Sequence, residues 1–227
     1  MSNRHRGHTP ALPIVVLISG SGSNLQAIID AIRDDGLPVE IRAVISNRPD
    51  AYGLQRARAA NIPAVVVDHT AFDTRSDYET ALQQRIDQYS PAMVVLAGYM
   101  RILGSAFVEH YQGRMLNIHP SLLPDFPGLN THQRAIDAAA TAHGASVHLV
   151  TNELDGGPVI IQASVPLLTG DDAATLAKRV QTQEHHIYPL ALRWFAEGRL
   201  RVKMGGILFD QQPLNQPVHV NADTGAV

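Results

Sequence analysis

Cysteine is missing from this chain of 227 residues, so neither a disulfide framework nor a thiolate metal site can form. Long apolar runs are missing too: none approaches the ~18–20 residues needed to cross a bilayer. The opening MSNRHRGHTPALP is polar and lacks the apolar core of a signal segment. Positive charge is scarce; net charge is −3, and no dense basic stretch lies beyond Arg4–Arg6. A nucleic-acid or membrane surface is therefore not expected, and a cytoplasmic protein is.

Motif absences narrow the chemistry further. Eleven histidines are present, but none sits in HExxH or another familiar ligand spacing, which disfavours a metal. No Gly-x-Ser-x-Gly elbow supports a serine hydrolase. No internal repeat or low-complexity linker divides the chain. A single domain over residues 13–203 is expected, preceded by a loose extension (1–12) and followed by a partly ordered tail (204–227) rich in Gly, Asn and Gln.

Within that domain, apolar strand-like runs (14–19, 39–46, 64–67, 93–97, 115–118, 145–151, 159–165) alternate with helical patterns (24–33, 53–60, 77–88, 105–110, 131–141). Nearly continuous apolar strands separated by helices predict a Rossmann-like α/β fold, a mostly parallel sheet flanked by helices. The connection 152–158 is too short for a crossover, so the last two strands should form a late antiparallel hairpin. A long helix over about 173–197 ends at Gly198.

Four stretches could carry chemistry. In ISGSGSNLQAII a strand runs through Gly20-Ser21-Gly22-Ser23-Asn24 into a helix. Free N–H groups at such a helix start suit a phosphate; a tight turn with a Ser cap is the alternative. Leu25 stands where a dinucleotide fingerprint needs its third Gly, and the second strand ends in Ser46-Asn47 rather than an acid. NAD is thus disfavoured, and with no Gly-Lys-Ser/Thr so is a nucleoside triphosphate. A small phosphorylated ligand remains.

In NIHPSLLP, strand alternation turns Asn117 and His119 to one face and Leu116 and Ile118 to the other. At the carboxyl edge of an open sheet, an amide and an imidazole can polarise a carbonyl whose oxygen gains charge during attack; alternatively the His merely satisfies loop carbonyls. In LDGGP, Asp155 either bonds its own turn or, if the turn meets the Asn117/His119 edge, orients an imidazole and favours its charged form. Gln181 and Glu184, three apart, share a face of the long helix and are either solvated or part of a site. Met100-Arg101-Ile102-Leu103 follows another strand to the same edge, where it walls a pocket for a flat ligand or simply packs.

Taken in order, VLISGSGSNLQAIID, AVISNRPDAYGLQRA, VVLAGYMRIL, MLNIHPSLLPDFPGLNTH, NELDGGPVI and RVQTQEHHIYP resemble the folate-dependent formyltransferases, most of all those acting on glycinamide ribonucleotide. The match runs from about Ile14 to Val202. The resemblance implies formyl transfer from N10 of 10-formyltetrahydrofolate, a co-substrate, to the amine of glycinamide ribonucleotide, without a metal. It assigns catalysis to Asn117, His119 and Asp155, and phosphate and nucleotide binding to Gly22, Ser23, Asn24, Gln181 and Glu184. Folate contacts fall on Arg75, Met100, Arg101, Ile102, Leu103, Asn117, Thr151, Asn152, Glu153, Leu154 and Asp155. Asn130 stands where some relatives have His. Rival readings are a 10-formyltetrahydrofolate hydrolase, expected to need a larger N-terminal domain; a tRNA-directed relative, expected to need a C-terminal one; and a non-catalytic binding module. The sequence leaves oligomeric state open, a homodimer included.

Overall fold

A computed structural model describes residues 10–203 and 206–221. The remainder of the expected extension and tail lies outside the described residues. Eight strands form the main sheet in the order β11-β7-β6-β5-β4-β1-β2-β3. They are β1 Leu12–Ile18, β2 Val39–Ser46, β3 Ala64–Val66, β4 Met93–Leu96, β5 Met115–His119, β6 Ala142–Leu149, β7 Val159–Pro166 and β11 Val218–Asn221. All pairings are parallel except those of β6, which runs against both β5 and β7. The helices are α1 Ser23–Asp34, α2 Gly53–Ala59, α3 Arg75–Asp87, α4 Ser105–His110, α5 Thr131–Asp137 and α6 Ala173–Ala196. No helix among the described residues is long and apolar enough to cross a membrane.

Alternation along the strands builds two cores. Ile14, Val16 and Ile18 of β1 join Leu116 and Ile118 of β5 in one, beneath α1 and α6. Val15 and Leu17 join Met115 in the other, beneath α3 and α4. Asn117 and His119 therefore stand on the α3–α4 face, as their spacing requires. Tyr188 is fully buried on α6 and donates its hydroxyl to the carbonyl oxygens of Leu96 (2.9 Å) and Leu116 (3.2 Å). One side chain thus ties α6 to the end of β4 and the start of β5.

Two elements differ from expectation. Helix α5 stops at Asp137 rather than near Thr141, because Ala139 takes a left-handed conformation with φ 49°. The segment after Lys203, expected to be a partly ordered tail, contains strands among its described residues. β8 (Leu200–Lys203), β9 (Gly206–Phe209) and β10 (Gln212–Pro213) make a small antiparallel sheet. Its turn uses Asp210 and Gln211 at φ 47° and 69°, without the glycine that normally marks such a hairpin. Phe209 packs against Trp194, ring centroids 4.7 Å apart, and Arg199 grips Asp210 with two hydrogen bonds.

Tyr188→Phe removes the one donor serving both strands. A loss of about 1–2 kcal/mol in unfolding free energy is expected, measured by chemical denaturation.

Candidate active site

Chain order reverses direction between β1 and β4: the chain runs outward from β1 to β3, then returns to β4 and continues to β5. Such a switch point opens a crevice at the strands' carboxyl ends. A cavity of about 520 Å³ lies here, lined by Ser19–Asn24, Asn47, Arg48, His69, Ala97, Gly98, Met100 and Arg101.

The glycine loop forms its floor. Gly22 is left-handed (φ 70°, ψ 32°) and caps α1; a Cβ there would lie 2.7 Å from Gly53 Cα. Gly53 donates its N–H to Gly20 O (3.0 Å), so α2 holds the loop against the start of α1. Ser19 Oγ donates to Asn47 Oδ1 (2.6 Å) and accepts from Met100 N (2.8 Å), joining three loops at one buried hydroxyl. From α6, Gln181 Nε2 donates to Ser23 Oγ (3.0 Å). Glu184 accepts from Asn24 Nδ2 (2.9 Å), while Asn24 Oδ1 is buried without a partner. The five residues expected to bind phosphate or nucleotide thus meet. Burial pushes the Glu184 carboxyl above its ordinary value, opposed by the Asn24 amide and the His119 ring. Asn47, Arg48 and His69 also line this end. None of the three was given a binding role from sequence: they follow β2 and β3, outside the stretches read as chemical.

One strand beyond β4, Asn117 and His119 end β5. Asn117 pairs across the ladder with His148 on β6. His148 Nδ1 lies 3.0 Å from the Leu149 carbonyl, which can only accept, so Nδ1 carries the proton. Its Nε2 is then an acceptor, 3.1 Å from Asn117 Nδ2. This fixes the Asn117 amide and leaves one Nδ2 hydrogen free. Burial pushes the His148 pKa down, which preserves the acceptor. His148 was missed from sequence; its cross-strand pairing with Asn117 depends on a register that only the fold supplies.

His119 is held from both sides. Nε2 donates to the Phe126 carbonyl (3.0 Å), so a second proton on Nδ1 points toward Asp155 Oδ2, 3.5 Å away. The loop between is pinned by Ser146, whose Oγ accepts from Leu123 N and donates to Ser121 O, and by Gln162, which donates to Leu123 O. Asp155 reaches the site from the β6–β7 turn in a left-handed conformation (φ 53°). Its Oδ2 accepts from Gly128 N (2.8 Å), and its Oδ1 lies 3.8 Å from His148 Nε2. Gly157 admits the turn; a Cβ there would collide with the Leu149 carbonyl oxygen.

The outer wall carries the residues expected to contact folate. Arg75 donates to Glu79 (2.7 Å) and to Ile102 O (2.7 Å), so its role visible here is to brace the 100–103 loop. Arg101 lies over the Tyr78 ring at 5.1 Å, and Leu103 packs into the core. Thr151 donates to Glu153 O (3.4 Å) and Asn152 to Glu109 (3.3 Å). Among the described residues, seven large apolar side chains are exposed; three (Met100, Ile102 and Leu154) sit in these loops and Leu129 in the loop before α5, a concentration that marks a ligand wall. Asn117, His119 and Asp155 are not among the residues lining the cavity; they stand beside it. Among the described residues no cluster of three His, Asp or Glu could hold a metal.

The model of the formyl transferase family matches residues 12–192. A phosphoribosylglycinamide formyltransferase of Escherichia coli is 56% identical over 201 residues, spanning 88% of this chain and 95% of its own. One from Haemophilus influenzae is 45% identical over 208 residues, 92% and 98% of the two chains. The solved phosphoribosylglycinamide formyltransferase of Coxiella burnetii superposes with a TM-score of 0.87 at 55% identity, covering 92% of this chain and 99% of that one.

Glu184→Gln keeps the acceptor for Asn24 and removes the ionisation. In the wild type, the stability linked to a carboxyl with a raised folded value is complete below 4.5, its ordinary value. It is lost as pH climbs through the raised value, because the unfolded chain releases its proton first. Thermal melts from acid to neutral pH should show that decline in the wild type and not in the variant, which should be the more stable at pH 7.

Proposed function

The chain belongs to the formyl transferase family, and from that premise we propose that it transfers the formyl group of 10-formyltetrahydrofolate to the amine of glycinamide ribonucleotide, a step of purine biosynthesis, in the cytoplasm. One observation carries the reading: an amide, an imidazole and a carboxylate converge beside a cavity floored by a glycine loop.

The phosphate takes the N–H groups at the start of α1 with Ser23 and Gln181, and Arg48 supplies a cation at that end. Glu184 and Asn24 Oδ1 are acceptors, suited to ribose hydroxyls rather than to phosphate. The flat folate ring lies against Met100, Ile102 and Leu154. Bound there, the folate supplies the formyl carbon and, in N10, the leaving nitrogen.

The uncharged amine forms a C–N bond to that carbon, the bond to N10 breaks, and one amine proton ends on N10. As the amine adds, the formyl oxygen gains negative charge. The free Nδ2 hydrogen of Asn117 meets it, and the Nδ1 hydrogen of protonated His119, held only loosely by Asp155 Oδ2 at 3.5 Å, is shared with it. Both are fixed beforehand by His148 and by the Phe126 carbonyl, so little reorganisation is needed. Asp155, anchored by Gly128 N, balances the imidazolium and accepts the amine proton on its way to N10, directly or through water.

His119→Ala should lower kcat by about 10²–10⁴-fold with a smaller change in KM for glycinamide ribonucleotide. Near-normal turnover by a folded variant would remove His119 from the chemistry. The wild type should deformylate the folate only when the nucleotide is present; nucleotide-independent loss of formyl would indicate a hydrolase instead.

A further inference from the structure

Behind the site lies a second histidine pair that the mechanism does not use. His143, on β6, is almost fully buried. Its Nε2 is 3.1 Å from Nδ1 of His132 on α5, and its Nδ1, which makes no well-formed hydrogen bond, has the Pro120 carbonyl nearby. Two imidazole nitrogens at that distance share one proton: one donates, the other accepts.

Phe126 stands between this pair and the site. Its ring meets His143 edge-on with centroids 6.0 Å apart, and Arg134 of α5 covers the ring at 5.7 Å. Arg134 also donates to the Pro127 carbonyl. Phe126 holds a left-handed backbone (φ 53°), which a phenylalanine adopts only where its surroundings enforce it. In that conformation its carbonyl oxygen accepts from His119 Nε2.

We infer that His132, through His143, is a positioning residue for His119: the paired imidazoles and Arg134 clamp Phe126 so that its carbonyl holds Nε2–H of His119 and keeps Nδ1 turned to the reacting side. The inference rests on the formyl-transfer reading. The titratable groups acting on the pair are the two rings themselves and His119 of β5; Arg134 of α5 lies over Phe126 instead, and Asp155 faces His119. Burial first, then the neighbouring rings, pushes His143 down to about 4 and lowers His132. The pair therefore stays neutral near pH 7, as a shared proton requires.

His132→Ala is the variant of choice, because His132 is only half-buried. It should lower kcat by about ten- to a hundredfold with little change in either KM. In the singly protonated form of the ring, the ¹⁵N spectrum of His119 should pass from a fixed Nε2–H tautomer to a mixture of both. His132→Asn, whose amide can occupy the place of Nδ1, should restore most of both signals. Wild-type kcat with an unchanged His119 spectrum in His132→Ala would overturn the inference, as would His132→Asn behaving like Ala. A fall in melting temperature with neither signal moved would also overturn it, by reducing the pair to a packing role. If the wild type transfers no formyl group, the functional reading fails, while the ¹⁵N comparison still decides whether the clamp exists.

Discussion

Because β6 runs against β5, each residue at the end of β5 meets a partner set by register: His148 for Asn117 and Ser146 for His119. The first pairing orients an amide. The second anchors the loop that follows, since Ser146 and Gln162 satisfy the backbone of Ser121 and Leu123. That loop carries Phe126, whose carbonyl receives the imidazole. The same hairpin then turns at Leu154–Gly157 and delivers Asp155. A slip of one residue in this ladder would send all of these groups to the opposite face, so one strand pairing sets the geometry of the whole reacting end.

The two ends of the crevice differ in kind. The glycine loop offers N–H donors from a helix start and is braced by α2 and α6. The reacting end relies on side chains fixed by neighbours, and it concentrates backbone strain. Phe126, Asn130 and Asp155 all have φ between 53° and 56°. Asn130 caps α5 in that conformation, without a side-chain bond to the helix; asparagine tolerates it better than most residues. This is a local reason for Asn at position 130.

Much of this was legible beforehand. Apolar continuity marked the parallel strands, and period-two spacing placed Asn117 and His119 together on the face opposite Ile118. The three-residue spacing of Gln181 and Glu184 put both on one face of the long helix, and the family resemblance gave that face its nucleotide role; their contacts with the glycine loop came only with the fold. What sequence could not supply was partnership across distance. His148 and the His132–His143 pair are 16 residues or fewer apart in the chain, yet their roles depend on a ladder register and on where a short helix begins. The strands after Lys203 were hidden for a related reason: their hairpin turns on Asp210 and Gln211, without a glycine, and their packing partner is Trp194 on another element.

Those late strands also govern the sheet's borders. A sheet of eight strands ends in two rows of unpaired backbone groups, an open template for another chain. On one side β3 presents only three residues. On the other, β7 would present eight, but Val218–Asn221 pairs along Ile161–Ser164 and leaves half as long a border, formed by β11. The segment that contributes least to the chemistry thereby limits where one copy of the molecule could add, edge to edge, onto another.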